Sequence, residues 1–267
     1  MNNCILKSLS VENFASFADK IQFTTLIDSR KKDTTDFTMC INDELYNKVS
    51  YIYGANGSGK TFFCKILREI QRLIDWSPLT AMNNSHLLEL PHFKGINSTV
   101  PHFVFDVKYE NEPTSFGIEI VVDKIYYHYN FSVINQKVIY ERLTKKYKRT
   151  EKLLERTTSS YKDIVLKSEL KNFEPIKQVV KEEALALPVA ALLNNKLATK
   201  IINAIKSIQI VSMTAARIQP TDSKKAFSDE RLEKYAEILS KADPTIRKMK
   251  VSFSEEEVSR EKIEIDD

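Results

Sequence analysis

Residues 51–63 read Tyr-Ile-Tyr-Gly-Ala-Asn-Gly-Ser-Gly-Lys-Thr-Phe-Phe (YIYGANGSGKTFF), and they hold Gly54, Gly57 and Gly59, three of the five glycines in a chain of 267 residues. From Gly54 to Thr61 the pattern G-x-x-x-x-G-K-[ST] is met at every required position. Each residue type there has a physical reason. Glycine lets the backbone turn tightly and bring its N–H groups onto phosphate oxygens with no side chain between. Lys60 carries a mobile point charge to the outer phosphates, and the Thr61 hydroxyl completes part of a magnesium shell.

The flanks decide whether so short a pattern has meaning. Upstream, Val49-Ser-Tyr-Ile-Tyr53 is β-branched and aromatic, which predicts a short buried strand. Downstream, Phe62, Phe63, Ile66, Leu67, Ile70, Leu73 and Ile74 recur at helical spacing, with Arg68, Glu69, Gln71 and Arg72 on the other side. Strand, glycine loop and helix therefore follow one another. Such a helix turns its positive N-terminal end toward the anion.

Composition sets the outer bounds. A chain of 267 residues, 42% hydrophobic and 28% charged, fits one large globular domain or two small ones. A net charge of +4 permits an acidic partner without demanding one. Cys4, Cys40 and Cys64 lack metal-type spacing, and an odd count behind a start with no leader pattern argues for reduced thiols in a cytoplasmic protein. No apolar run approaches the roughly 20 residues that span a bilayer.

Along the chain, Ile5–Val11 alternates as a strand, Asn13-Phe14-Ala15-Ser16-Phe17 follows, and a second strand begins at Ile21. Residues 76–100 read as irregular connection with one short helix near His86–Leu90. A β-rich block comes next, its hairpins marked by Glu110-Asn-Glu-Pro-Thr114 and by a two-residue Asp123-Lys124 turn. From Lys145 the chain turns lysine-rich, with little periodicity until about residue 165. Pro188 then opens one helix whose inner face runs from Val189 to Ile205. Ile208–Met213 reads as a strand, Ser228 as the N-cap of another helix, and Lys248–Phe253 as a last strand before an acidic end. The divisions are 1–75, 76–144, 145–206 and 207–267.

Beyond the loop, candidate chemistry is thin. A nucleotide hydrolase needs a carboxylate at the end of an apolar strand. Only Gly117-Ile-Glu-Ile-Val-Val-Asp123 approaches that pattern, and turn chemistry accounts for Asp123 better. The basic run Arg142, Lys145, Lys146, Lys148, Arg149 and Lys152 admits nucleic acid, but nearby acidic residues favour a solvated face. His86, His92, His102 and His128 share no ligand spacing, and Cys64 reads as a core residue.

The start LKSLSVENFASF, a polar loop and then YIYGANGSGKT resemble the N-terminal lobe of the ABC-type ATPase heads. That group includes SMC proteins, recombination-repair ATPases and the OLD-like "AAA" ATPases of bacterial anti-phage systems. The segments YYHYNFSVINQKVIYERL, EKLLER and ILSKADPTIRKMKV are most similar to the OLD-related defence ATPases. The resemblance implies an α/β fold, a P-loop NTPase of ABC-ATPase type, seen as an N-terminal lobe with an antiparallel β subdomain and a helical segment. It implies ATP and Mg²⁺ as cofactors, phosphate binding by Gly54, Asn56, Gly57, Ser58, Gly59, Lys60 and Thr61, a catalytic part for Lys60 and a metal contact from Thr61.

In that family two heads close over ATP, each P-loop meeting a serine-glycine signature from the other head. A homodimer or higher oligomer is therefore expected, with an effector nuclease or toxin as partner. Departures from the pattern are visible. Ala15 stands where many relatives have Arg or Lys, and no Q-loop glutamine can be assigned to Gln71 or Gln136. The signature and the Asp-Glu pair are expected beyond Asp267. Two alternatives follow: a nucleotide-gated scaffold without significant hydrolysis, and a DNA-repair or SMC-like head. The latter calls for heptad arms that residues 145–206 are too short to supply.

Overall fold

The computed structural model describes residues 4–28, 37–81, 100–171, 176–209, 248–253 and 261–266, with isolated helical positions at 233, 236–237 and 240. The chain divides into two compact units, Met1–Ile210 and Val211–Asp267.

The first unit is built on a seven-stranded sheet. Its strands are β1 (Cys4–Glu12), β2 (Ile21–Thr24), β5 (Thr114–Val122), β6 (Ile125–Ile134), β7 (Lys137–Lys146), β8 (Thr150–Arg156) and β9 (Val165–Leu166). The spatial order is β2-β1-β5-β6-β7-β8-β9, with every pair antiparallel. A separate hairpin joins β3 (Thr38–Ile41) to β4 (Glu44–Asn47). Three hairpins turn on two residues that both have positive φ: Asn42-Asp43, Asp123-Lys124 and Asn135-Gln136. That geometry matches the right-handed twist of the strands it joins.

Alternation along each strand gives the sheet two unlike faces. Register aligns Leu9 with Ile118, Ile118 with Tyr129, and Tyr129 with Leu143, all buried. On the opposite side, Ser10, Gly117, Asn130 and Arg142 form a polar row. Helix α1 (Lys60–Ala81) is part of the same core as the apolar face through Ile66, Leu67, Ile70, Leu73 and Ile74. The short α2 (Ile176–Val179) precedes α3 (Ala186–Leu192) and α4 (Lys196–Lys206), which complete that layer. Gln71 fastens α1 to the end of α4, its side-chain amide donating to the carbonyls of Ile205 (3.0 Å) and Ile208 (2.8 Å).

A buried polar network fixes the far end of the sheet. Glu141 on β7 is fully buried and accepts from the Ala186 N–H (2.7 Å), the Leu187 N–H (2.9 Å) and the Tyr129 hydroxyl (2.7 Å). It thereby caps the first turn of α3. Burial pushes its carboxyl up, against the pull of those hydrogen bonds and of the Arg156 charge. Arg156, equally buried and opposite Glu141 in the ladder, donates to the carbonyls of Ala184, Thr158, Ser159 and Glu182. A fork of five N–H donors suits such carbonyl-rich surroundings.

Several expectations are corrected. Val49–Tyr53 forms no ladder with any described strand and is exposed, Tyr53 at 86% and Tyr51 at 77%, because strand-forming side chains need a neighbouring strand to pair with. Helix α1 runs on through Pro78 to Ala81 instead of giving way at residue 76, and the buried Ser77 hydroxyl donates to the Leu73 carbonyl beside that proline. The stretch after Lys145, read as non-periodic, carries the β7–β8 hairpin. The single helix opened by Pro188 is two, since Asn194 takes φ 65° and the Asn195 side chain caps the second by accepting from the Ala198 N–H.

In the second unit β10 (Lys248–Phe253) pairs antiparallel with β11 (Glu261–Asp266), so the acidic end contains a strand. The helix near His86 lies outside the described residues, as do most of the strand at Ile208–Met213 and most of the helix after Ser228.

Candidate functional site

The glycine loop stands at the N-terminus of α1, as its pattern predicts. Lys60 is the first helical residue, and the Phe63 N–H returns to the Gly59 carbonyl at 2.9 Å. The N–H groups ahead of that bond have no carbonyl within the helix to accept them, and the helix dipole adds positive potential there. Gly57 and Gly59 take φ values of 82° and 91°. Gly59 is also sterically obligatory: a β-carbon there would lie 2.7 Å from the Phe17 ring and 2.9 Å from the Ser16 hydroxyl.

Lys60 folds back over its own loop and donates to the carbonyls of Gly54 and Ala55, both at 2.6 Å. Its ammonium thus sits inside the curl of the loop, held by carbonyl dipoles that a phosphate can outcompete. Asn56, Ser58 and Thr61 are exposed, and Ser58 lies over Gly54, where a β-carbon would come within 2.6 Å of its hydroxyl. The Ser58 N–H turns inward to the Ala55 carbonyl at 3.2 Å. One face of the loop is therefore open, and the other rests on Phe17.

The support beneath the loop is a tight turn that sequence reading passed over. Phe14 and Phe17 exchange backbone hydrogen bonds at 2.8 Å, with Ala15 and Ser16 at the tip. Asn13 and Ala15 both have left-handed backbone, φ 51° and 52°. Buried Asn13 ties this turn to the segment after residue 100: its amide donates to the carbonyls of Tyr109 (3.0 Å) and Glu112 (2.8 Å), and its oxygen accepts the Phe103 N–H (2.9 Å). Ala15 exchanges backbone bonds with His102 and Val104, both at 3.1 Å. An asparagine, tolerant of left-handed backbone, ahead of Phe-Ala-Ser-Phe was the available signal.

The residues present fit a magnesium nucleotide. The loop offers unpaired N–H donors, the Lys60 ammonium and the Thr61 hydroxyl, the donor set a polyphosphate with one bound Mg²⁺ requires. Bound ATP would supply the γ-phosphoryl group; Lys60 would neutralise its outer oxygens and Thr61 would hold the metal.

Other candidates fall away. Asp123 sits in the β5–β6 turn and pairs with Lys200 at 2.7 Å, as turn chemistry predicted. Two members of the basic run are held by acidic neighbours, Lys145 pairing with Glu151 and Glu169, and Lys152 with Glu155. Cys64 is exposed and not in the core, because it falls on the Arg68 side of α1. Cys4 is half-buried, and burial pushes its thiol up to about 11, which makes it a poor nucleophile. Among the described residues no cluster of His, Cys, Asp or Glu could hold a metal, and no helix is long and apolar enough to cross a membrane.

No curated protein and no solved structure matches the chain. A family model does, over residues 49–170, and its description is "AAA domain, putative AbiEii toxin, Type IV TA system". The matched span begins just ahead of the glycine loop and takes in α1 and strands β5–β9. The match supports a nucleotide-binding, AAA-type P-loop ATPase domain, with which the loop, its helix and the antiparallel strands after them are compatible.

Proposed function

We propose that the chain is the nucleotide-binding part of an ABC/OLD-like ATPase in which ATP draws two heads together and so controls an anti-phage effector, a nuclease or toxin. The observation that carries this reading is Lys60, curled over an exposed glycine loop at a helix N-terminus and held, among the described residues, by two carbonyls. An open loop face suits a site that a second head completes. The family description supports the effector context, since it names a toxin and a type IV toxin–antitoxin system.

Isothermal titration of the full chain with Mg·ATP tests the assignment. Lys60→Ala should abolish measurable binding, because the ammonium is the loop's own cation. Undiminished affinity in that variant would sink the site.

A second reading, a nucleotide-gated scaffold with negligible turnover, is favoured by one observation. The carboxylate nearest in pattern to a hydrolytic one, Asp123, is engaged with Lys200 in a hairpin turn. Steady-state phosphate release by the intact assembly, lost on removal of a carboxylate, would exclude the scaffold.

A further inference from the structure

The Ser16 hydroxyl is buried yet has no hydrogen-bond partner. Such groups are uncommon in folded proteins, and leaving one unpaired costs roughly 1–3 kcal/mol. Its position is informative. Ser16 occupies the tip of the Phe14–Phe17 turn, and its oxygen faces the α-carbon of Gly59, close enough that a β-carbon there would approach it to 2.9 Å. The turn itself is not free to move away: Asn13 and Ala15 bind it to residues 102–112 through three side-chain and two backbone hydrogen bonds. An unpaired hydroxyl is thus held rigidly against the glycine loop, whose shape must respond to an anion.

The loop has room to respond. Gly57 has no atom within 4 Å of the β-carbon position, and only the two carbonyl bonds from Lys60 need to break before its ammonium can swing outward. Closure of the loop on a phosphate would turn the Ser58–Gly59 peptide group, while the Gly59 carbonyl stays bonded to the Phe63 N–H.

We infer that Ser16 is a positioning residue of the P-loop: its hydroxyl gains a partner on the backbone flanking Gly59 only when the loop takes up the phosphates of a nucleotide. The inference rests on the nucleotide-binding reading above. It makes the hydroxyl neutral or slightly unfavourable in the empty protein and favourable in the loaded one. Because it acts through the loop and not on the terminal phosphate, ADP and ATP feel it alike.

The test compares wild type, Ser16→Ala and Lys60→Ala in the full chain, by thermal melting without ligand and by calorimetric titration with Mg·ATP and Mg·ADP. The expected result is a Ser16→Ala melting temperature equal to or above wild type, with affinity for both nucleotides reduced about tenfold, the size of one hydrogen bond. Wild-type affinity in Ser16→Ala, with binding abolished in Lys60→Ala, overturns the role of Ser16 and leaves the P-loop reading intact. A lower melting temperature in Ser16→Ala without ligand also overturns it, by showing that the hydroxyl is already paired. So does a loss confined to ATP, which would put Ser16 on the terminal phosphate. Failure of wild type to bind either nucleotide would overturn both readings together.

Discussion

Glu141→Ala should be among the most damaging single changes in the first unit. The wild-type carboxylate satisfies two backbone N–H groups at the start of α3 and the Tyr129 hydroxyl, at 2.7–2.9 Å, in a fully buried setting. Truncation to alanine leaves those three donors without acceptors, each worth roughly 1–3 kcal/mol when buried and unpaired. It also removes the carboxylate charge that most favours the buried Arg156 guanidinium. Such terms do not add, and the loss from breaking a buried charged network is about 3–5 kcal/mol. Glu141→Gln keeps one acceptor oxygen but turns an NH₂ toward a donor, so it should lose about half as much.

The chain's single tryptophan, Trp76 on α1, gives the assay, because Ser77 next to it accepts the Leu185 N–H at 2.9 Å and so couples α1 to the segment that Glu141 caps. Urea unfolding followed by Trp76 fluorescence should rank wild type above Gln above Ala. A Glu141→Ala variant within about 1 kcal/mol of wild type would refute the reasoning, since desolvated donors could then be abandoned at no cost.

Two further outcomes are expected. Gly59→Ala forces a β-carbon to 2.7 Å from the Phe17 ring at a φ of 91°, so its urea midpoint should fall by the equivalent of about 1–3 kcal/mol and Mg·ATP affinity should drop with it; an unchanged midpoint would show that Phe17 yields freely. Burial alone would raise the Glu44 carboxyl, but hydrogen bonds from the Tyr46 hydroxyl and the Lys7 ammonium hold it below its ordinary 4.5. A depressed folded value means stability that is present above about pH 4.5 and lost as pH falls through the lower folded value. Glu44→Gln should therefore flatten the acid limb of the stability curve, and parallel limbs for the two proteins would contradict this.

Sequence and structure agree most closely where chemistry prescribes residue types at fixed spacing. Backbone approach to phosphate demands glycines and a lysine at set intervals, so the loop and α1 were legible. Two-residue turns such as Asp123-Lys124 were legible because left-handed backbone selects for them. Strand β8 was hidden by a bulge. Leu143 pairs with Leu154 but Thr144 with Lys152, so the adjacent Leu153 and Leu154 are both buried and simple alternation fails. The break between α3 and α4 was hidden because the apolar period runs on through Asn194-Asn195. Nothing in KVIYERL singles out Glu141 as a buried group; only the register of β7 against β6 and β8 carries it inward. The role of Ser16 is not a property of its neighbours in sequence, since Gly59 lies more than forty residues away.

The hairpin turns have a consequence for how backbone freedom is distributed. Asn42-Asp43, Asp123-Lys124 and Asn135-Gln136 all adopt left-handed conformations without glycine. Residues with a β-carbon bring less unfolded-state entropy to be lost, so these corners are stiffer than glycine turns would be. With three of the chain's five glycines gathered between positions 54 and 59, torsional freedom that elsewhere would be spread over every corner is concentrated at the loop. Ligand binding there draws on a local reserve of disorder, while the surrounding sheet has little of its own to give up.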